Sequence, residues 1–166
     1  MTMPTFRPAV RGLVLDSDNC VLLVKLVFPN GSWWVLPGGG IDAGESHVDA
    51  LHRELREETG LHAPTIGACV WNRVHQFTMT DTDGVAWDGQ SESVYLVRTE
   101  RFVPTPSFST EELERENLFE HKWWTLSELL AYDGPDNLSP PDLASYVHVI
   151  IRDGVPSVPF EIFHSS

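Results

Sequence analysis

Positive charge is scarce in this sequence. Eleven Lys and Arg stand against 24 Asp and Glu, a formal net charge of −13 over 166 residues. Chains that grip polymeric nucleic acid do so through basic patches, so a DNA or RNA polymer is not an expected partner. Cysteine is scarcer still. Cys20 and Cys69 are too few for a disulfide framework, and their apolar neighbours suit reduced thiols. No apolar run approaches the ~18 residues of a membrane span. Residues 1–11 carry Pro4 and Pro8 and no long apolar stretch, so neither a membrane segment nor a signal peptide is expected. The simplest compartment is the cytoplasm. Repeats, low-complexity tracts and breaks in composition are also missing, which makes residues 1–166 one expected domain with a core over about 7–152. The seven histidines show no zinc spacing, and His47 reads as a surface residue.

What is present is ordinary for a globular protein, 42% hydrophobic and 21% charged. Residues 9–15 and 21–26 read as strands around the turn Asp16-Ser17-Asp18-Asn19, and 33–36 as a short strand ended by Pro37-Gly38-Gly39-Gly40. Residues 46–59 form the clearest helix, with Ser46 and Asp49 at its start and Gly60 as its stop. Strands are expected at 66–77 and 93–103, with the Asp- and Gly-rich 81–89 as a hairpin loop. A short acidic helix or turn at 111–116, a strand end at 122–124, a helix at 127–132 and a last helix from Pro140-Pro141 to about 152 follow. Residues 154–166 read as an irregular tail. Intermixed strands and helices place the chain in the α/β or α+β class.

The helix at 46–59 breaks local rules. At about 100° per residue, Val48, Leu51, Leu55 and Thr59 form a stripe that can face a core, while Glu54, Glu57 and Glu58 share a separate arc. Like charges at i, i+3 and i+4 weaken a helix by a few tenths of a kcal/mol per pair. They also crowd the end where the helix dipole disfavours negative charge. Arg53 can reach Glu57 and Arg56 lies nearby, but two arginines do not neutralise the face. A hard divalent cation with oxygen ligands would. Ala50 lies in the same arc, where its small side chain would leave room for a ligand. Three glutamates alone are more often a solvated face, and a glycine cluster alone is most often a plain turn.

The combination carries more weight. From Gly39 the sequence reads G-x5-E-x7-R-E-U-x-E-E-x-G-U, with U a bulky aliphatic, fixed by Gly39, Glu45, Arg53, Glu54, Leu55, Glu57, Glu58, Gly60 and Leu61. This resembles the Nudix box at every position. A Trp-x-x-Pro-Gly-Gly approach and a later Glu-His-Lys-Trp-Trp-Thr-Leu-Ser-Glu-Leu segment extend the likeness over roughly residues 7–130.

The resemblance implies an α/β/α sandwich with a mixed central β-sheet and hydrolysis of a diphosphate bond in a nucleoside diphosphate linked to another group, with Mg2+ or Mn2+. Carried over by position, Glu57 and Glu58 are the main metal ligands. Glu54 is a further ligand and a candidate base, and the Gly38 carbonyl completes the shell. Arg53 orients the carboxylates and Glu45 braces the loop. Some relatives use a glutamate on a late loop as the base, and Glu120 is the first candidate here. Arg11, Lys25 and Arg73 are candidate phosphate contacts, and Trp33 is a candidate ring to stack on a base, with Trp34, Trp71 and Trp87 near the same segments. The proline that often marks ADP-ribose relatives is replaced by Gln76 and Phe77, and the tyrosine of dinucleoside polyphosphate relatives by Thr78 and Met79. The expected partner is a small nucleotide-like diphosphate, with no membrane, and a homodimer as in many relatives. A nucleotide-sensing module without catalysis is the alternative. An isopentenyl-diphosphate-type isomerase is a third reading, which the position of Cys69 disfavours.

Overall fold

The computed structural model describes residues 2–165. In chain order the elements are β1 (Arg7–Leu15), β2 (Val21–Phe28), β3 (Gly31–Val35), β4 (Gly38–Gly40), α1 (His47–Thr59), β5 (Cys69–Thr80), β6 (Ala86–Arg98), α2 (Thr110–Arg115), β7 (Leu118–Trp124), α3 (Leu126–Leu130), β8 (Asn137–Ser139), α4 (Leu143–Asp153) and β9 (Phe160–Ser165). One mixed sheet runs β8-β3-β2-β1-β6-β5-β9, with β4 attached to β1 and β7 to β2. The β1–β6, β3–β8 and β5–β9 pairings are parallel and the others antiparallel.

β1 explains the layering. Its side chains alternate between faces. Val10 and Val14 pack with Ala50, Leu51 and Leu55 of α1. Leu13 and Leu15 pack with Leu129 of α3 and Leu143, Val147 and Ile150 of α4. A strand covered on both faces reads as a nearly continuous apolar run, as this one does. Helices on both sides of a mixed sheet give the expected α/β/α arrangement. Among the described residues, no helix is long and apolar enough to cross a membrane.

Several boundaries depart from the sequence reading. The expected irregular tail contains β9, paired with β5 from Trp71↔Phe160 to Gln76↔Ser165. Phe160 and Ile162 pack against the core while Phe163 is exposed, a period of two over a run too short and too polar to stand out. The strands expected at 66–77 and 93–103 run Cys69–Thr80 and Ala86–Arg98, so the hairpin loop shrinks to residues 81–85. A backbone ladder needs no apolar side chains. Gly89 within it has φ +146° and a carbon there would lie 2.1 Å from the His75 carbonyl oxygen, so it marks a close crossing rather than a loop. Short β8 lies just before Pro140 and pairs with β3. β7 is longer than the strand end expected at 122–124 because it pairs along β2 as far as Leu26↔Leu118.

β6 stops at Arg98 because the chain turns back to α1. Thr105, Ser107 and Phe108 donate their amides to the Thr59, Arg56 and Glu57 carbonyls at 3.0, 3.1 and 3.2 Å. The Nε2–H of His121 on β7 donates to the Glu58 carbonyl. The carbonyls that a helix end leaves orphaned are thus satisfied by tertiary partners, which fixes the 105–108 loop to the last turn of α1.

Candidate active site

α1 begins where Ser46 Oγ accepts the Asp49 amide at 3.1 Å and ends at Gly60, left-handed at φ +79°. Its buried arc is centred closer to Leu51 and Glu58 than the expected stripe. Val48 sits at the margin and is 42% exposed, whereas Ala50 is fully buried and packs in the core instead of leaving room beside the carboxylates. The room comes from the glycines of β4. A carbon on Gly39 would lie 2.7 Å from Glu54 Oε1. A carbon on Gly38, itself at φ +149°, would lie 2.1 Å from the Val10 carbonyl oxygen. The Gly38 amide donates to Glu58 Oε1 at 2.9 Å. Bare backbone against two carboxylates is what the Pro-Gly-Gly-Gly turn provides.

Arg53 organises the loop and the helix together. Its Nε and Nη2 hold Glu45 at 2.7 and 2.9 Å, and its Nη1 reaches Glu54 at 2.9 Å and Glu57 at 3.3 Å. Nη2 also donates to the Gly40 carbonyl at 2.9 Å. The glutamates remain under-compensated. Burial, partly offset by Arg53, pushes Glu54 up to about 7, with the charge of Glu57 adding to the rise. Burial also raises Glu57, against the pull of Arg53 and Arg56. Glu58 lies well above the usual carboxylate range through burial and the charge of Glu54, held down by the Gly38 amide and Arg11.

A fourth carboxylate belongs to this group. The charge of Glu116, at the C-terminal end of α2, pushes up Glu54, Glu57 and Glu58 together. Nothing in the spacing marks Glu116, because it reaches the site only through the path of the 99–109 segment. Glu120 is placed elsewhere. Neighbours on a strand face opposite sides, and on β7 it is His121 that reaches α1. Glu120 pairs with Lys25 at 3.3 Å, and Lys25 also holds Asp136 at 3.2 Å.

The remaining candidates scatter. Arg11 is partly buried, bonded to Glu92 at 3.0 Å and to the Leu36 carbonyl at 2.9 Å. Arg73 is fully buried, donating to Ser139 Oγ at 2.9 Å and lying 3.9 Å from Glu92. Trp33 is half-buried with its ring edge-on to Phe28, while Trp34 and Trp71 are core residues. Trp87 donates to Asp81 within the hairpin, and His47 contacts the Tyr95 hydroxyl.

The donor set fits a hard divalent cation. Three carboxylates with raised affinity for protons, under the added charge of Glu116, outweigh the pull of Arg53, Arg56 and Arg11, and a glycine turn lies against them. Among the described residues no three His, Cys, Asp or Glu side chains stand grouped so that they could hold a metal ion by themselves. An ion that keeps several waters and takes few protein ligands suits such an open arrangement.

Comparison with known proteins bears on the family and the fold. A model of the NUDIX domain matches residues 5–143. The chain is 29% identical over 144 residues to Nudix hydrolase 25 of Arabidopsis thaliana, covering 82% of each chain. It is 40% identical over 101 residues to an RNA pyrophosphohydrolase of Acinetobacter baylyi, a match covering 56% of this chain and 58% of that one. The fold resembles the NUDIX domain of Shewanella oneidensis NrtR, solved in complex with ADP ribose, with a TM-score of 0.63, 21% identity and 90% of each chain covered. Box, fold and family match coincide on the same residues, and the chain belongs to the Nudix hydrolase family, which acts on nucleoside diphosphate derivatives.

Proposed function

We propose that this protein adds water across a diphosphate bond of a small nucleotide-like substrate, a nucleoside triphosphate, nucleotide sugar or related compound, with Mg2+ or Mn2+ bound at α1. The observation that carries this reading is the buried, under-compensated carboxylate group packed on the bare glycine backbone of β4. Glu57 and Glu58 would hold the ion, with Glu54 and the Gly38 carbonyl completing its protein ligands. Such an ion neutralises charge on phosphate oxygens and makes a nearby water more acidic. Arg53 fixes the carboxylates by pairing with Glu45, Glu54 and Glu57 at once. Its Nη1 donates to Oε1 of Glu54 and leaves Oε2 for a proton. A carboxylate with a pKa of about 7 is suited to taking a proton from water at neutral pH. Glu116, rather than Glu120, is the second candidate, because it shares the field of the same group. The oxygen of the water ends on one phosphorus as its bond to the bridging oxygen breaks, the bridging oxygen leaves with the other phosphorus, one proton of the water passes to the base and the other stays on the new phosphate oxygen.

The test is a release assay with Mg2+ and with Mn2+ on nucleoside triphosphates, ADP-ribose, nucleotide sugars and dinucleoside polyphosphates, with Glu57→Gln as the blank. Cleavage that needs metal, disappears in the blank and returns after a chelator is removed supports the reading. Activity that survives thorough chelation overturns the metal assignment. A 5′-triphosphorylated oligoribonucleotide belongs in the panel because of the Acinetobacter relative's name. The net charge of −13 argues that it is a poor substrate. Tight ligand binding without any cleavage would favour a sensor.

A further inference from the structure

A cleft of about 440 Å3 opens beside the carboxylate group, lined by Thr82, Phe108, Glu112, Arg115 and Glu116. Its size falls within the roughly 300–1,000 Å3 of small-molecule sites. Three separate constraints place its walls. Phe108 follows the loop bonded to the end of α1, with its own amide on the Glu57 carbonyl at 3.2 Å. Glu112 is fixed by the capping box of α2, where its Oε1 accepts the Ser109 amide at 3.1 Å. Thr82 comes from the β5–β6 hairpin turn, which Asp81 closes by accepting the Val85 amide at 2.9 Å. The cleft neighbours the end of α1, because Phe108 in its wall is bonded to the Glu57 carbonyl and the charge of Glu116 in its wall acts on Glu54.

Two side chains set the chemistry. Phe108 is half-buried on a tethered loop, a flat apolar face held in place. Arg115 is exposed at the end of α2 and forms no hydrogen bond or ion pair among the described residues, although Glu112 and Glu116 line the same cleft. In a chain with 24 acidic residues an unpaired guanidinium is conspicuous. Its planar fork matches a phosphate in two parallel hydrogen bonds. A flat apolar ring and a free guanidinium a few residues apart match a base and the phosphate attached to its ribose.

We propose that this cleft holds the nucleoside monophosphate half of the substrate, with the base against Phe108 and its phosphate on Arg115. The inference rests on the hydrolase reading for the word substrate, but not for the binding itself. Phe108 and Arg115 thereby choose nucleotides over other diphosphates, while the α1 carboxylates act on the bond.

Calorimetry on the wild-type protein tests this, with AMP, GMP, CMP and UMP as probes and ribose 5-phosphate as the control without a base. Mononucleotides are expected to bind more tightly than ribose 5-phosphate. Phe108→Leu, which keeps apolar bulk but removes the ring, should weaken mononucleotides by about tenfold and leave ribose 5-phosphate unchanged. Arg115→Gln, at an exposed position, should weaken both to a similar degree. Mononucleotides that bind no better than ribose 5-phosphate, or equally well to wild type and both variants, would overturn the assignment. The release assay run alongside separates the two ideas. Hydrolysis that is normal in both variants means the cleft is wrong and the activity stands. Nucleotide binding that depends on Phe108 in a protein that cleaves nothing means the cleft stands and the hydrolase reading fails.

Discussion

Glu58 and Glu92 are both buried carboxylates, and they behave in opposite ways. Burial is the largest influence on each and pushes both pKa values up. Glu92 nonetheless ends below the usual carboxylate range, because Arg11 and Arg73 face it and Arg11 and Gln90 donate to it. Glu58 ends well above, because its nearest strong influence is another carboxylate, Glu54. The fold shows how it neutralises a buried glutamate when neutrality is the aim. Around α1 the pull of Arg53, Arg56 and Arg11 does not offset burial, and the deficit marks a place for positive charge from outside.

The comparison can be broken by changing either side. The largest effect is expected from Glu92→Gln, which leaves buried Arg73 and partly buried Arg11 beside a neutral amide and should cost about 3–5 kcal/mol in urea unfolding. Removing all three charges together, as Arg11→Met, Glu92→Leu and Arg73→Met, should recover most of that loss. A cost below 1 kcal/mol for the single change, read against that ~3–5 kcal/mol, would show that the network is not balanced as described. Glu116→Gln should lower turnover roughly 10- to 100-fold through metal affinity, while the free energy of unfolding stays level or rises. Unaltered turnover would remove Glu116 from the reacting group.

Acidity sharpens the contrast. The folded-state pKa of Glu54 is about 7 against an ordinary 4.5, so its favourable contribution is full below about 4.5 and is lost as pH rises through about 7. Glu92 has the reverse sign, contributing above about 4.5 and failing as acid carries the pH through its lowered value. The difference in melting temperature between chelated wild type and Glu54→Gln should therefore grow in favour of the variant from pH 5 to pH 8. Saturating Mn2+ should shrink that difference, and a difference that does not vary with pH would contradict the shift. The smallest effect is reserved for Glu120→Gln, which should cost under ~1 kcal/mol and spare turnover, since Glu120 itself is exposed where it pairs with Lys25.

The box was legible because its physics is local. A capped helix, a glycine turn before it and three glutamates on one side are all written within residues 38–61. Ser46, Gly60 and Arg53 take the places their spacing requires. What depended on distant pairing was not legible. Glu116 comes to α1 because residues 105–108 satisfy the helix-end carbonyls, and no periodicity encodes that. β9 escaped notice because six alternating residues after two prolines carry little signal, although they complete one edge of the sheet. Arg11 and Arg73 looked like free basic residues on strands, and only the pairing of β1 and β5 with β6 brings both to Glu92.

The peptide at Gly38 has a consequence for how substitutions combine. Its amide holds Glu58 on one side of the sheet, while β1 pairs Arg11 with it across the ladder and Arg11 grips the carbonyl two residues earlier. Changes at Arg11 and at Glu58 should therefore not add, although one side chain faces the α4 layer and the other lies under α1. Mutational epistasis between the two layers is built in at a single residue that has no side chain of its own.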